Sequence, residues 1–260
     1  MSGSVRSERQ GHLATVTLSH AGKFNAMSRA MWRELRALFT ALAQDDTLRC
    51  IVLRGEGGHF CAGGDIAEYP DFRFSEAALR EFHEQDVWGG LQAVLDCDVP
   101  VLAQIEGNCM GAGVEIACCC DIRIAAGSAR FGAPIGRLGF PMAPREAALV
   151  LREAGALSAR EMLLEAGVLT AAQMQARGFL QRVVDDGAVP EEVAHSARRI
   201  MAQAPQAARL NKRALRTLQA EGGAALPALL ARAYDYAPGA EHREGIAAFL
   251  AKRPADFSLS

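Results

Sequence analysis

Two glycine-rich stretches hold the residues best placed to do chemistry. The first is Gly57-Gly58-His59-Phe60-Cys61-Ala62-Gly63-Gly64-Asp65, and the second is Gly107-Asn108-Cys109-Met110-Gly111-Ala112-Gly113-Val114-Glu115. Each follows a short apolar run (50–53 and 100–105) and reads as a turn from a strand into a helix. Glycine lets such turns adopt positive φ and lets a ligand come close to the backbone. The first N–H groups of the following helix lack intrahelical partners and carry positive polarity. One N–H from each turn, aimed at a common point, would make an oxyanion hole for a carbonyl gaining negative charge. Neither stretch is a phosphate loop: the first lacks a closing Lys-Ser/Thr, and neither fits GxGxxG. Glycines also tighten turns for structural reasons alone, so each stretch taken singly leaves both readings open.

Glu115 lies about one turn into the helix that follows the second stretch. Burial beside apolar side chains would raise its pKa, and the nearby helix N-terminus would oppose the rise. A carboxyl there could hold and deprotonate a water or move a substrate proton. A first-turn glutamate also simply complements a helix dipole.

The elements that must position these groups alternate. Residues 13–18 have strand period, with Val16 and Leu18 set against Thr15 and Thr17. Ser28 is placed to cap a helix whose apolar face carries Met31, Leu35, Leu38, Phe39 and Leu42. Met27, Met31 and Trp32 read as core. Residues 50–53 form a buried strand, 76–95 a helix with a break at Gly89-Gly90, 100–105 a strand, 114–120 a helix and 122–125 a strand. Helices are expected over 145–154, 159–166 and 171–176, and a short strand over 180–184. Beyond Pro190 the pattern is helical, over 191–202, 206–221, 226–234 and 241–251. Strands fed by helical crossovers followed by a helical tail imply an α/β core. We divide the chain into an α/β core with the active site, 1–190, and a C-terminal helical region, 191–260.

Composition narrows the class. Half of the 260 residues are hydrophobic and 22% are charged, with 28 Lys+Arg against 30 Asp+Glu and a net charge of −2. Such a chain can bury a core, and its charge balance gives no general pull toward nucleic acid or an anionic membrane surface. No run of about 18 uncharged apolar residues is present, so no membrane span is expected. The start of the chain is polar and has no apolar signal core. Seven cysteines, without CxxC or Cys/His ligand spacing, indicate neither a metal site nor a disulfide framework. Adjacent Cys118, Cys119 and Cys120 read as small buried hydrophobes in a reducing, cytoplasmic compartment.

Five segments in order resemble the crotonase superfamily, the enoyl-CoA hydratase/isomerase family, across nearly the whole chain. They are Gly22-Lys23-Phe24-Asn25-Ala26-Met27; Phe60 to Asp65; Ile105-Glu106-Gly107 through Glu115; Ala129-Arg130-Phe131-Gly132-Ala133-Pro134 with Leu138-Gly139; and Glu241-His242-Arg243-Glu244-Gly245-Ile246-Ala247-Ala248-Phe249. The resemblance implies a crotonase-like spiral of β-β-α units and C-terminal helices that assemble a homotrimer or a dimer of trimers. It implies an acyl-CoA thioester substrate and a stabilised thioester enolate. No separate cofactor is implied, because CoA arrives as part of the substrate. By position, the oxyanion donors would be the N–H groups of Gly64 and Ala112. Glu115 matches the first catalytic glutamate of the hydratases, so enoyl-CoA hydration is the leading expectation. Lys23 and Lys252 would meet the CoA phosphates, the latter in a neighbouring subunit. The backbone around Ala62 and Ile66 would cradle the adenine, with Gly63, Asp65 and Gly111 in the same two loops. Phe249 would line the acyl end.

One position departs from the pattern. Hydratases usually carry a second glutamate directly after the proline of the Phe-Gly-x-Pro segment, and here that residue is Ile135. Water addition needs a proton removed at one centre and delivered at another, and Ile does neither. A single carboxyl suits double-bond isomerisation, decarboxylation or thioester hydrolysis, and a non-catalytic acyl-CoA binder is the alternative of a different class. Among other polar groups, Asp65 is expected to fix the first loop and His59 to lie at a surface turn. His83, Glu84 and Asp86 are expected on a solvated helix face, although any of them could supply the missing proton donor. Arg137 could reach an acidic acyl group.

Overall fold

The computed structural model describes residues 3–257. Its strands are β1 (Ser4–Gln10), β2 (Leu13–Ser19), β3 (Cys50–Gly55), β4 (Val101–Ile105), β5 (Asn108–Met110), β6 (Ile122–Ala126), β7 (Arg130–Gly132), β8 (Val168–Thr170) and β9 (Arg182–Val184). Its helices are α1 (Arg29–Ala43), α2 (Glu76–Glu81), α3 (Trp88–Asp96), α4 (Ala112–Cys118), α5 (Pro144–Leu164), α6 (Ala171–Ala176), α7 (Val189–Met201), α8 (Pro205–Glu221), α9 (Leu226–Arg232) and α10 (Ala240–Leu250).

One sheet runs β1-β2-β3-β4-β6-β9, parallel from β2 onward, and a smaller one runs β5-β7-β8. Every residue of β4 is buried, as a central parallel strand covered on both faces requires. The strand β1 is not foreseen from its own residues, because Arg6, Glu8 and Arg9 hide any apolar period. It forms because all seven of its residues pair antiparallel with β2, and its charges suit an exposed edge.

The Ser28 hydroxyl caps α1 by accepting the Met31 N–H at 3.2 Å, as expected. The buried face of α1 carries Met31, Trp32, Leu35 and Phe39. The expected break at Gly89-Gly90 is absent. Gly90 instead lies inside α3, where it admits the Trp32 ring: a Cβ there would sit 2.8 Å from Trp32 Cε3. The irregularity falls earlier, in a wider π-type turn at Phe82–Val87. The two helices expected over 145–154 and 159–166 are both present within α5, separated by a break at Gly155, whose φ 79° and ψ 159° are not helical.

All seven cysteines are buried and unpaired, and burial pushes the thiols of Cys50, Cys61 and Cys120 up to about 12. They pack as hydrophobes.

Helix α7 packs on β3, β4 and β6. Basic side chains tie α8 to the core: Arg209 donates to the Leu48 carbonyl at 2.9 Å, Lys212 pairs with Asp121 at 2.7 Å, and Arg216 pairs with Asp98 at 2.9 Å. Leu215, Leu230, Tyr234, Ile246, Phe249 and Leu250 remain exposed on α8 to α10 and the turn between them. No helix among the described residues is long and apolar enough to cross a membrane.

Candidate active site

The two glycine-rich turns lie side by side and are stitched as a short parallel ladder. Cys61 pairs with Cys109: the Cys61 N–H donates to the Asn108 carbonyl at 2.9 Å, and the Met110 N–H donates to the Cys61 carbonyl at 2.8 Å. His59 closes the same seam, its Nδ1 accepting the Asn108 N–H at 3.1 Å. The expected surface histidine is therefore a partly buried pin between the loops. Asn25 holds the turn from beneath, donating to the carbonyls of Glu56 (2.8 Å) and His59 (2.7 Å). Close approach depends on glycine at two points. Gly111 takes φ 47° and ψ −112°, and Gly113 leaves room for the Cys61 carbonyl, which a Cβ would meet at 2.5 Å.

This packing leaves one amide free on each loop. Met27 pairs with Gly64 through bonds from the Met27 N–H to the Gly63 carbonyl and from the Asp65 N–H to the Met27 carbonyl, both 2.8 Å. In parallel pairing those bonds flank Gly64, so its own N–H points away from Met27. Ala112 is the first residue of α4, upstream of the first helical bond from the Glu115 N–H to the Gly111 carbonyl at 3.1 Å. Neither amide has an acceptor among the described residues. The loops touch one residue before each: a Cβ on Gly111 would lie 3.5 Å from the Gly63 Cα. The Tyr69 hydroxyl lies directly against Gly64. Tyr69 was not among the expected site residues, and only the fold of 66–71 brings it here.

Glu115 is partly buried at the fourth position of α4, and no described group hydrogen bonds to its carboxyl. Its pKa is pushed up to about 8, first by burial and then by the charge of Glu146. Arg123 anchors the other end of α4, donating to the carbonyls of Ala117 (3.3 Å) and Cys120 (2.8 Å). A buried cation on the last carbonyls both satisfies them and fixes the helix that carries Glu115.

Glu146 went unseen in the sequence. It lies 31 positions after Glu115, in the first turn of α5, where an acidic residue reads as an ordinary helix start. It is 3% exposed, and its Oε1 lies 3.0 Å from Nδ1 of His83. The solvated face expected for His83, Glu84 and Asp86 is correct only for Glu84, which meets Arg145 at 3.0 Å on the surface. Asp86 is buried and holds Arg29 and Arg33, each at 2.7 Å. Ile135 opens a 3-10 turn at Ile135–Leu138 and is half-buried.

Residues 8–259 match the family model described as enoyl-CoA hydratase/isomerase. The chain belongs to the enoyl-CoA hydratase/isomerase family. It is 31% identical to the 2,3-dehydroadipyl-CoA hydratase of Escherichia coli and 31% identical to the crotonyl-CoA hydratase of Syntrophomonas wolfei, covering 96% of both chains in each case. A crystal structure of an enoyl-CoA hydratase/carnithine racemase from Magnetospirillum magneticum superimposes with a TM-score of 0.94 at 36% identity, covering 98% of this chain and 96% of that one. The α/β spiral is thus the family fold, and the protein is an enzyme of this family.

The other expected contacts are distributed as follows. Asp65 is buried, accepts the Ala67 N–H at 3.2 Å and pairs with Lys23 at 2.6 Å, which fixes the first loop as expected. Lys23 thereby serves the loop, while 42% of its side chain stays exposed beside it. The Ala62 N–H donates to the Phe24 carbonyl at 3.0 Å, and Ile66 is exposed just beyond. Arg137 is exposed on the 3-10 turn. Phe249 and Lys252 are exposed at the end of α10. No group of three or more His, Cys, Asp or Glu among the described residues could hold a metal ion.

Proposed function

We propose that this enzyme adds water across the double bond of a 2-enoyl-CoA thioester. The observation that carries the reading is an unpaired, half-buried carboxyl, Glu115, on the helix whose first amide is free, beside a second free amide from a separate loop. The thioester oxygen would accept from the N–H groups of Gly64 and Ala112 as enolate charge grows on it. Prepositioned donors of this kind typically lower a barrier by about 3–4 kcal/mol each. Glu115 would handle a proton at the adjacent carbons. The hydratase names of the relatives support the same reaction.

Ile135 favours a second reading. With one carboxyl in the family positions, the enzyme would move the double bond of a 3-enoyl-CoA, lifting and returning a single proton. Loss of crotonyl-CoA absorbance, run beside a 3-enoyl-CoA panel, separates the two. Hydration is supported by turnover of crotonyl-CoA that falls at least a hundredfold in Glu115→Gln. Isomerisation without hydration refutes it.

The exposed apolar residues of α8 to α10 suit burial in a homotrimer or a dimer of trimers, with residues 191–260 supplying the contacts. In that assembly Phe249 and Lys252 would reach a neighbouring subunit's acyl chain and CoA phosphate. CoA enters as substrate, and a cytoplasmic setting fits the seven free thiols.

A further inference from the structure

Burying a carboxylate costs several kcal/mol unless its oxygens are well partnered. Glu146 is buried with one partner, His83, on Oε1, and no described donor meets Oε2. Arg145, its chain neighbour, turns away to Glu84 and does not neutralise it. Helix α5, which carries this carboxyl in its first turn, packs on α4, and the charge of Glu146 acts on Glu115. The site therefore holds two carboxyls, although the position after Pro134 is apolar.

We propose that the His83–Glu146 pair is the second proton-transfer group of this site, standing in for the carboxyl that Ile135 lacks; the proposal rests on the hydration reading. Two neighbouring carboxyls whose surroundings separate their proton affinities divide the acid and base roles between them. Glu115, held up to about 8, keeps its proton at neutral pH. Glu146, whose carboxyl adds to the burial that raises Glu115, takes the base role. Other groups facing Glu115 are the Tyr69 phenol from the 66–71 turn, the Cys61 thiol from the first loop, and the Cys118 and Cys119 thiols of α4. Burial raises all four, so they are neutral at that pH.

The assignment gives a balanced cycle. Glu146, oriented by His83, takes a proton from water as the water oxygen bonds to the β-carbon. The π electrons of the double bond move onto the thioester oxygen, which accepts from the Gly64 and Ala112 amides. The enolate then re-forms the carbonyl while the α-carbon takes the proton of Glu115. Solvent water returns the proton from Glu146 to Glu115. One water is consumed, and nothing is oxidised or reduced.

The test is crotonyl-CoA hydration by the full-length enzyme from pH 5.5 to 9.5. For wild type, kcat/KM should fall above about pH 8 as Glu115 loses its proton. Glu146→Gln should lower kcat at least a hundredfold, leave butyryl-CoA binding within a few-fold, and move the falling limb to lower pH because the neighbouring charge is gone. His83→Gln, at a partly exposed site, should lower kcat in the same direction, and it serves if Glu146→Gln fails to fold by circular dichroism. Ile135→Glu placed in the Glu146→Gln background should restore part of the lost turnover. An Glu146→Gln or His83→Gln enzyme with kcat within threefold of wild type overturns the proposal and leaves the hydration reading standing. So does wild-type activity that rises through pH 8. A wild type that does not hydrate crotonyl-CoA removes both.

Discussion

Glu115→Gln should make the protein more stable as pH rises, while abolishing turnover. The ordinary value for this carboxyl is 4.5, and in the fold it stands at about 8. Between those values the folded chain holds a proton that the unfolded chain has released. Folding then takes up a proton, so stability falls as pH rises through this window. At about 1.4 kcal/mol per tenfold, the wild type gives up about 3 kcal/mol by pH 7 and about 5 kcal/mol above pH 8, relative to pH 4. Gln is nearly isosteric and does not titrate, so the variant is spared this loss. Urea unfolding of both proteins at fixed concentration, from pH 5 to 9, reads the difference directly, because every other titration cancels in the subtraction. The gap between the two curves should widen steadily to about pH 8 and then level off. A gap that does not change with pH would show that Glu115 is not held neutral by its surroundings, and the acid role assigned to it would fall with it.

Gly113→Ala forces a Cβ to 2.5 Å from the Cys61 carbonyl, a backbone atom that cannot step aside. It should lower stability by about 1–3 kcal/mol and reduce crotonyl-CoA turnover by prying the loops apart; a normal urea midpoint with full activity would contradict the seam described above. Asp86→Ala removes the carboxylate shared by Arg29 and Arg33, which joins α1 to the π-type turn carrying His83. A loss of about 2–3 kcal/mol is expected, and because Asp86 is buried the loss should persist in 1 M salt, where a surface pair would already be silent.

Much of the site was legible along the chain because its signals are local. A strand followed by a glycine-rich turn and a helix start needs only a few neighbouring residues, so both glycine-rich loops, the Ser28 cap and the position of Glu115 stand in the sequence. The five ordered segments were enough to identify the family, and the apolar Ile135 was enough to show that something is missing. What could not be read there depends on which distant elements meet. The polar β1 becomes a strand only because β2 offers it a partner. Asp86 is buried because two arginines from α1 reach it, although its own helix suggests a solvated face. Glu146 looks like any acidic residue in a first turn until the fold sets it against His83 and brings its charge to bear on Glu115. Local spacing determined where the free amides and the first carboxyl would be; packing over tens of residues decided what surrounds that carboxyl, and so whether it gives up or keeps its proton.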